Sequence, residues 1–417
     1  MKTRPGRPRT NDHSFTLLWS ASTVSMLGDG MRIAALPLLA AAVSDSAAAV
    51  SAVTVAGNLP WLLFSLLGGA LVDRAHRARL MWLTGLCQAS VVGAFAAYTL
   101  LRPPSLVAVA AFALVLGCAQ VVHVTASNAL VPEIVPSAGL ESANGRMQGS
   151  QVIVLQLLGP LAGATVFAFS TSAPFAVDAV TFLVAAFLVR PLVRRTAPPE
   201  PASGRDRRKL GEEVREGVRW LWAHRGLRVL ALELGIATAA VQLGNTMLVL
   251  LVTSTLGAPA STYGLVLAAG AVGGFLAGVI AARIRARIGV TATMALSISA
   301  LGVSLLACGA SRGVWWLAAA YALGGFGLVV WNVQSASLRQ RLVPRPLMGR
   351  VSGVYRMIGW SGIPIGAALS GVLGTAFGTR VPFFVGGAAL LASLVLLPLF
   401  ADLRVPDAQS SPADDER

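Results

Sequence analysis

Long apolar stretches, each broken by a few polar positions, divide the chain into twelve runs: 15–43, 49–72, 80–101, 104–130, 147–169, 172–192, 227–253, 260–282, 289–310, 313–337, 351–377 and 380–402. A bilayer core about 30 Å thick takes about 20 apolar residues per helix, so each run predicts one membrane-spanning helix. Between the sixth and seventh runs, "RRTAPPEPASGRDRRKL" (194–210) holds too many prolines and charges to cross a bilayer and reads as a cytoplasmic linker. After it, Leu210, Val214, Val218, Leu221 and Trp222 recur at helical spacing with Glu212, Arg215, Glu216 and Arg219 between them. That pattern predicts a short amphipathic helix along the membrane interface, either a plain anchor or a regulatory element. The expected division is a six-helix half over 1–193, a linker with its amphipathic helix over 194–225, a second six-helix half over 226–402 and a disordered cytoplasmic tail over 403–417.

Composition agrees with the pattern. The 417 residues are 55% hydrophobic and 12% charged, with a mean hydropathy of +0.71, whereas soluble domains carry about 25% charged residues. The fold class expected is an all-α polytopic membrane protein. The formal charge of +15 would suit a nucleic-acid binder only if the basic residues shared a soluble face, and here they alternate between loops. Lys2, Arg4, Arg7 and Arg9 precede the first run, Arg74, Arg77 and Arg79 follow the second, Arg283, Arg285 and Arg287 follow the eighth, and Arg339, Arg341, Arg345 and Arg350 join the tenth and eleventh. The intervening loops hold only Arg102, Arg312 and Arg380. By the positive-inside rule both termini are cytoplasmic, as an even number of spans requires.

Met1 to His13 is polar, and the first apolar run is too long for a signal peptide and lacks a small-residue cleavage site. Cys87, Cys118 and Cys308 fall in three different spans, so neither a disulfide framework nor a thiolate metal site is expected. Abundant alanine and the excess of arginine over lysine suit a GC-rich bacterial genome, which makes a bacterial plasma membrane the expected location.

The two halves repeat one another. "GALVDRAHRAR" closes span two and "GVIAARIRAR" closes span eight, so Gly69 aligns with Gly278 and Arg74 with Arg283 at one offset; Gly145-Arg146 and Pro160 align with Gly349-Arg350 and Pro364 at another. Parallel repeats of six spans suit transporters that rock about a midplane site. On these residues the chain resembles the major facilitator superfamily over essentially its whole length, which implies twelve helices in two six-helix pseudo-repeat halves. The loop after span two matches that superfamily's motif at Gly69, Leu71, Asp73, Arg74 and Arg77, with His76 in a glycine slot and the last arginine displaced to Arg79.

In span five, "LGPLAGA" is similar to the Gly-Pro-x-x-Gly motif of drug/proton antiporters, placing Gly159, Pro160 and Gly163 at its positions and implying export. "LGDGMRIAALPLL", "FAVDAVTFL" and "EEVREGVRWLWAHRGLR" look like the branch of macrolide-efflux and enterobactin-exporter-like proteins. The arginine that such antiporters often carry in span four is absent, and that helix offers Gln120 and His123 instead.

These motifs also have direct physical readings. Gly69 permits close helix approach, and Asp73 is expected to latch the cytoplasmic mouth against Arg74, Arg77, Glu133 or Arg350, or else the loop only fixes topology. Gly159-Pro160 interrupts the helical hydrogen bonds of span five. Gly270, Gly274 and Gly278, and Gly362, Gly366, Ser370 and Gly374, recur every four residues and predict smooth faces for static packing or sliding.

Two opposite charges stand out. Asp29 lies about 14 residues past Phe15, about 21 Å along the helix, near the middle of the membrane. Arg32 is three residues on and shares its face. Charges at that depth pair and face a cavity. Asp29 either carries protons across the cycle or forms with Arg32 a permanent pair fixing span one to its neighbours.

Glu233 and His123 are weaker proton-coupling candidates, and Gln88, Gln120, Gln242, Asn245, Asn332 and Gln334 are expected to line a central cavity. Asp178 reads as a residue near the outer end of span six, capping or pairing locally. No phosphate-binding loop occurs, and the only lysines are Lys2 and Lys209, so the chain is no ATP motor. No hydrolase or metalloprotease signature occurs either. The reading is a non-enzymatic, proton-driven exporter of small amphipathic or hydrophobic compounds, monomeric, with no cofactor, metal or nucleic-acid partner. An importer on the same fold, or a lipid-handling or sensory protein, are the alternatives.

Overall fold

A computed structural model of the protein describes residues 12–196, 210–344 and 347–397. Because lipid offers backbone groups no hydrogen bonds, a spanning chain must satisfy them internally, and helices do this. Helices α1 (Asp12–Val43), α2 (Ala47–Arg74), α3 (Arg77–Leu101) and α4 (Leu106–Ile134) form the first four spans. Span five comprises α5 (Leu140–Ser150), a π-helical segment Gln151–Leu158 and α6 (Gly159–Phe169); α7 (Ala173–Val189) is span six. The bend expected at Gly159-Pro160 takes the form of that π segment, a wider winding that tolerates the missing proline donor.

The amphipathic helix predicted after the linker is α8 (Leu210–Ala223). It is followed by α9 (Arg225–Leu250), α10 (Ala260–Gly309), α11 (Val314–Leu342), α12 (Met348–Phe377) and α13 (Val381–Ser393). The 50-residue α10 is two spans in one, because Gly289 interrupts it with φ of 79°, a left-handed conformation that suits glycine. Pro37 is absorbed within α1, which continues through it to Val43. Counting α10 twice gives the twelve expected spans. Their outward faces carry apolar side chains such as Val180, Phe187, Phe275 and Val372, all exposed, as a lipid surface requires.

In the first group α1 packs on α6 and α7, α3 on α4 and α7, and α2 on α4; in the second α9 packs on α12 and α13, and α10 on α11 and α13. A buried aromatic knot ties α3, α4 and α7. Phe95 stacks on Phe112 at 3.9 Å, and Phe175, fully buried, meets Phe95 edge-on at 5.1 Å. Each such pair adds roughly 0.5–1.5 kcal/mol beyond burial alone. The two groups meet mainly through α2 against α12 and α6 against α10.

Those cross-contacts gather at the end of the bundle that is poor in arginine. Leu38, Leu39, Val50 and Leu248 to Val252 are buried there. Ser254 donates to Asp45, Ser51 donates to the Ala367 carbonyl, and a Cβ on Gly371 would meet the Ser51 side chain at 2.6 Å. At the arginine-rich end the two described inter-helix ion pairs stay within their own groups: Arg77 with Glu133 at 3.3 Å, and Arg350 with Glu216 on α8 at 2.7 Å. Among the described residues the arginine-poor end is therefore the sealed one, and the arginine-rich end the more parted.

Glycine sets the closest helix approach. A Cβ on Gly30 would stand 2.7 Å from the Leu155 carbonyl oxygen and 2.8 Å from Gly159 Cα, so α1 touches span five backbone to backbone. Gly30→Val should destabilise the protein by about 1–3 kcal/mol through overpacking. Gly149→Ala, where a Cβ meets nothing within 4 Å, should be neutral or stabilising by up to about 1 kcal/mol. Thermal unfolding in detergent tests the contrast, and equal behaviour of the two variants would contradict this packing.

Candidate functional site

Glycines flank Asp29 on both sides. Gly28 brings α1 onto α7, where a Cβ would lie 2.8 Å from Asp178 Cα, and Gly30 brings it onto span five. The helix turn bearing Asp29 is thus wedged between two neighbours and aims its carboxylate at the space left between the helix groups. Arg32 Nη2 donates to Asp29 Oδ1, and Arg32 Nε donates to Asp178 Oδ2 at 3.0 Å. One guanidinium bridges two carboxylates through different nitrogens, a geometry to which its planar fork is suited.

Asp178 does not cap or pair locally, as its sequence position suggested. It is fully buried, 146 residues from its partner, and its Oδ1 has no hydrogen-bond partner among the described residues. Sequence spacing gives no hint of that pairing, although one signal exists: an acid inside the apolar run "FAVDAVTFL" needs a buried base, and Arg32 is the base closest to mid-membrane.

A chain of amides supports the acid. Gln88 Nε2 donates to Gln120 Oε1 at 2.8 Å, which turns the Gln120 amide nitrogen onto Asp29 Oδ1 at 3.3 Å and Oδ2 at 3.4 Å. Ser25 donates to Asp29 Oδ2 at 3.4 Å. One turn on, His123 Nδ1 lies 3.1 Å from the Thr84 hydroxyl, which itself donates to the Leu80 carbonyl at 2.8 Å. Which of the two groups donates across the His123–Thr84 contact depends on the imidazole tautomer.

Ser25, Asp29, Arg32, Gln120 and His123 wall a cavity of about 670 Å³, within the usual range for small-molecule sites. It runs from Pro37 and Leu248 near the sealed end to Asn128 and Met147 near the parted end. Its two walls differ. The first helix group contributes Asp29, Arg32, Gln120 and His123; the second contributes Gln242, Asn245, Tyr263 and Tyr321 and no formal charge among the described residues. Tyr321 donates to Asn245 Oδ1 at 3.1 Å, and Gln242 Nε2 donates to Thr246 at 3.2 Å. Trp61 on the wall packs edge-on against Trp360 at 5.0 Å across the two groups. Sequence reading missed Trp61, Tyr263 and Tyr321, since an aromatic in an apolar run looks the same whether it faces lipid or a cavity.

Of the expected cavity residues, Gln120, Gln242 and Asn245 lie on the wall, as do Asp29, Arg32 and His123. Gln88 stands behind Gln120, Asn332 is exposed, and Gln334 is buried away from the cavity. Glu233 is fully buried and also off the wall, with neither oxygen in hydrogen-bond geometry among the described residues. In span five Gly159 packs on Gly30, Pro160 turns its carbonyl to Gly264, and Gly163 abuts the Met31 backbone. Of the loop motif, Arg77 pairs with Glu133; the surroundings of Gly69 and the side chains of Asp73 and Arg74 lie outside what the structure describes. The predicted Asp73 latch falls there as well.

Twelve helices in two six-helix groups around a polar central cavity are the major facilitator architecture, and solved structures agree. A bacterial homologue of the iron transporter ferroportin in its inward-facing state aligns with a TM-score of 0.75 at 17% identity, covering 94% of this chain and 100% of that one. The nucleoside transporter NupG aligns with a TM-score of 0.71 at 13% identity, covering 93% and 98%.

The chain belongs to the major facilitator family described as transmembrane secretion effector, whose profile matches residues 8–416. It is 27% identical over 409 residues to the multidrug efflux pump Tap of Mycolicibacterium fortuitum, covering 95% of this chain and 98% of Tap. It is 25% identical over 404 residues to macrolide efflux protein A of Streptococcus pyogenes, covering 94% and 97%. The protein is a multi-pass membrane transporter by family and fold.

Removing one partner of a buried ion pair costs about 3–5 kcal/mol. Asp178→Ala should lose stability on that order in detergent, while Asp178→Asn, which keeps an acceptor for Arg32, should lose clearly less. Equal stability of Asp178→Ala and the wild type would show that the bridge holds nothing together.

Proposed function

We propose that the protein exports small amphipathic or hydrophobic compounds, antibiotics or other natural products among them, by alternating access in exchange for protons. The observation that carries the reading is Asp29: an acid at mid-membrane depth, 7% exposed, on the wall of a drug-sized cavity. Such a group exchanges protons with whichever side the cavity faces. The names of the efflux relatives support the direction of transport.

Loop charge orients the molecule. With the arginine-rich end in the cytoplasm, both termini are cytoplasmic, the membrane is a bacterial plasma membrane, and the parted end opens inward to collect substrate from the cell. The moving bodies are residues 1–193 and 226–402, with 194–225 as the tether and the protein working as a monomer. Closing of the parted end carries Asp29 and its load across, and a proton arriving from outside resets the acid. Gln120 holds the carboxylate toward the cavity throughout, and Arg32, anchored by Asp178, keeps a counter-charge beside it.

Reconstituted vesicles with an imposed pH gradient and a panel of macrolides and lipophilic dyes test this. Wild-type accumulation should fall to the passive level when the gradient is collapsed, and Asp29→Asn should be insensitive to it. Undiminished gradient-driven transport by Asp29→Asn would reduce the Asp29–Arg32 pair to a structural fixture and overturn the reading.

A further inference from the structure

At the arginine-rich end of the second group, α11 and α12 hold hydrogen-bond donors that nothing among the described residues answers. The Arg339 guanidinium on α11 lies over the ring of Tyr355 on α12, 3.7 Å from its centroid. Tyr355 is 3% exposed, and Trp331, about two turns deeper on α11, is 1% exposed. Arg339 Nη1, the Tyr355 hydroxyl and Trp331 Nε1 are all buried without a hydrogen-bond partner among the described residues. Trp331 and Ser335 stand beside the Tyr355 hydroxyl, but Ser335 turns its own hydroxyl to the Asn332 carbonyl at 3.3 Å. Arg356, exposed and next in sequence to Tyr355, is near enough for its charge to act on Arg339. No described acid forms an ion pair with either arginine.

A ring face attracts a cation but offers no acceptor to its N–H groups, and buried donors without acceptors are costly. Two neighbouring guanidiniums add repulsion to that cost. All of these atoms lack the same thing, which is negatively charged oxygen. A phosphate group supplies several such oxygens in an arrangement that the planar fork of arginine matches. The Tyr355 hydroxyl, at the edge of the ring that Arg339 covers, lies within the span of one such group. Arg339 is half-buried, so a ligand can approach along the open edge of its guanidinium.

We propose that Arg339, Arg356 and Tyr355 form a binding site for a phosphate group, separate from the central cavity, whose lining includes none of the three. The bound group ties the end of α11 to α12 and removes the repulsion between their arginines, with Trp331 backing the tyrosine hydroxyl. Its source is either the headgroup of an anionic lipid, for which basic pockets between spanning helices are suited, or a soluble phosphate. Both present the same oxygens to the same donors.

The test uses the purified full-length protein in a maltoside detergent, without substrate or gradient. Sodium phosphate is titrated against sodium chloride at equal ionic strength, and phosphatidylglycerol against phosphatidylcholine at equal content. The readout is the unfolding temperature, which a ligand of the folded state raises with concentration. Phosphate, phosphatidylglycerol or both should raise it saturably beyond their controls. A response to the lipid alone assigns the site to a headgroup, and a response to phosphate alone assigns it to a soluble anion. Arg339→Gln and Arg356→Gln should each raise the half-saturating concentration at least about tenfold, and Tyr355→Phe, which keeps the ring, roughly threefold. Arg341→Gln, the same change of charge on an exposed side chain of the same helix end, should stay within about twofold of the wild type.

A wild type that answers neither probe overturns the proposal. So does an Arg341→Gln variant that loses as much as Arg339→Gln, since that marks bulk attraction to a basic surface and no built site. Where Arg339→Gln fails to fold, the other two variants decide: unchanged half-saturation in both Arg356→Gln and Tyr355→Phe overturns it as well.

Discussion

Two carboxylates and one guanidinium share a few ångströms at mid-membrane depth, where lipid and packed protein screen them poorly, and most of the surrounding structure serves to make that arrangement tolerable. The bridge from Arg32 to both Asp29 and Asp178 spans two helices. It requires α1 to lie directly on α7. That approach is possible because residue 28 is a glycine, and on the opposite side Gly30 admits the span-five backbone equally closely. Helices drawn together by small residues and polar bridges are what a lipid solvent favours, since apolar side chains gain nothing there by leaving lipid for one another.

The same economy shapes the rest of the bundle. Backbone-to-backbone contacts recur, at Gly264 against Pro160 where the helix groups cross and at Gly366 against Ala239 within the second group. Smooth contacts at the sealed end, joined among the described residues by hydrogen bonds such as Ser254 to Asp45, hold the groups together. Among the described residues, two ion pairs at the parted end brace neighbouring helices, Arg77 with Glu133 and Arg350 with Glu216 on α8. Rigid groups with a sparse seam are the physical precondition for rocking as bodies. The asymmetry of the cavity follows from the same plan: formal charge sits on the wall stiffened by the α1, α4 and α7 network, and the opposite wall offers neutral amides and phenols.

Much of this was legible in the sequence. Twelve apolar runs, the amphipathic 210–223 segment and the i, i+3 pairing of Asp29 with Arg32 all follow from local periodicity, which is a one-dimensional property. What failed to show was long-range. Asp178 looked like a local cap because nothing along the chain ties it to a residue 146 positions earlier. Asn332 and Gln334 looked like cavity residues because polarity in a span signals a wet or bonded face without saying which. Glu233 looked like a weaker proton-coupling candidate, and it is fully buried but off the cavity wall. The π segment before Gly159 was equally hidden, since the Gly-Pro pair announces an interruption and not the form it takes.

The central claim is that Asp29 holds a proton that substrate displaces. Infrared difference spectroscopy on reconstituted protein addresses it most directly, because a protonated carboxyl group absorbs apart from a carboxylate. Adding a transported substrate at constant pH should remove a protonated-carboxyl band in the wild type and leave the spectrum of Asp29→Asn flat in that region. A wild-type spectrum with no carboxyl change on saturation with substrate, or the same change in Asp29→Asn, would contradict the account.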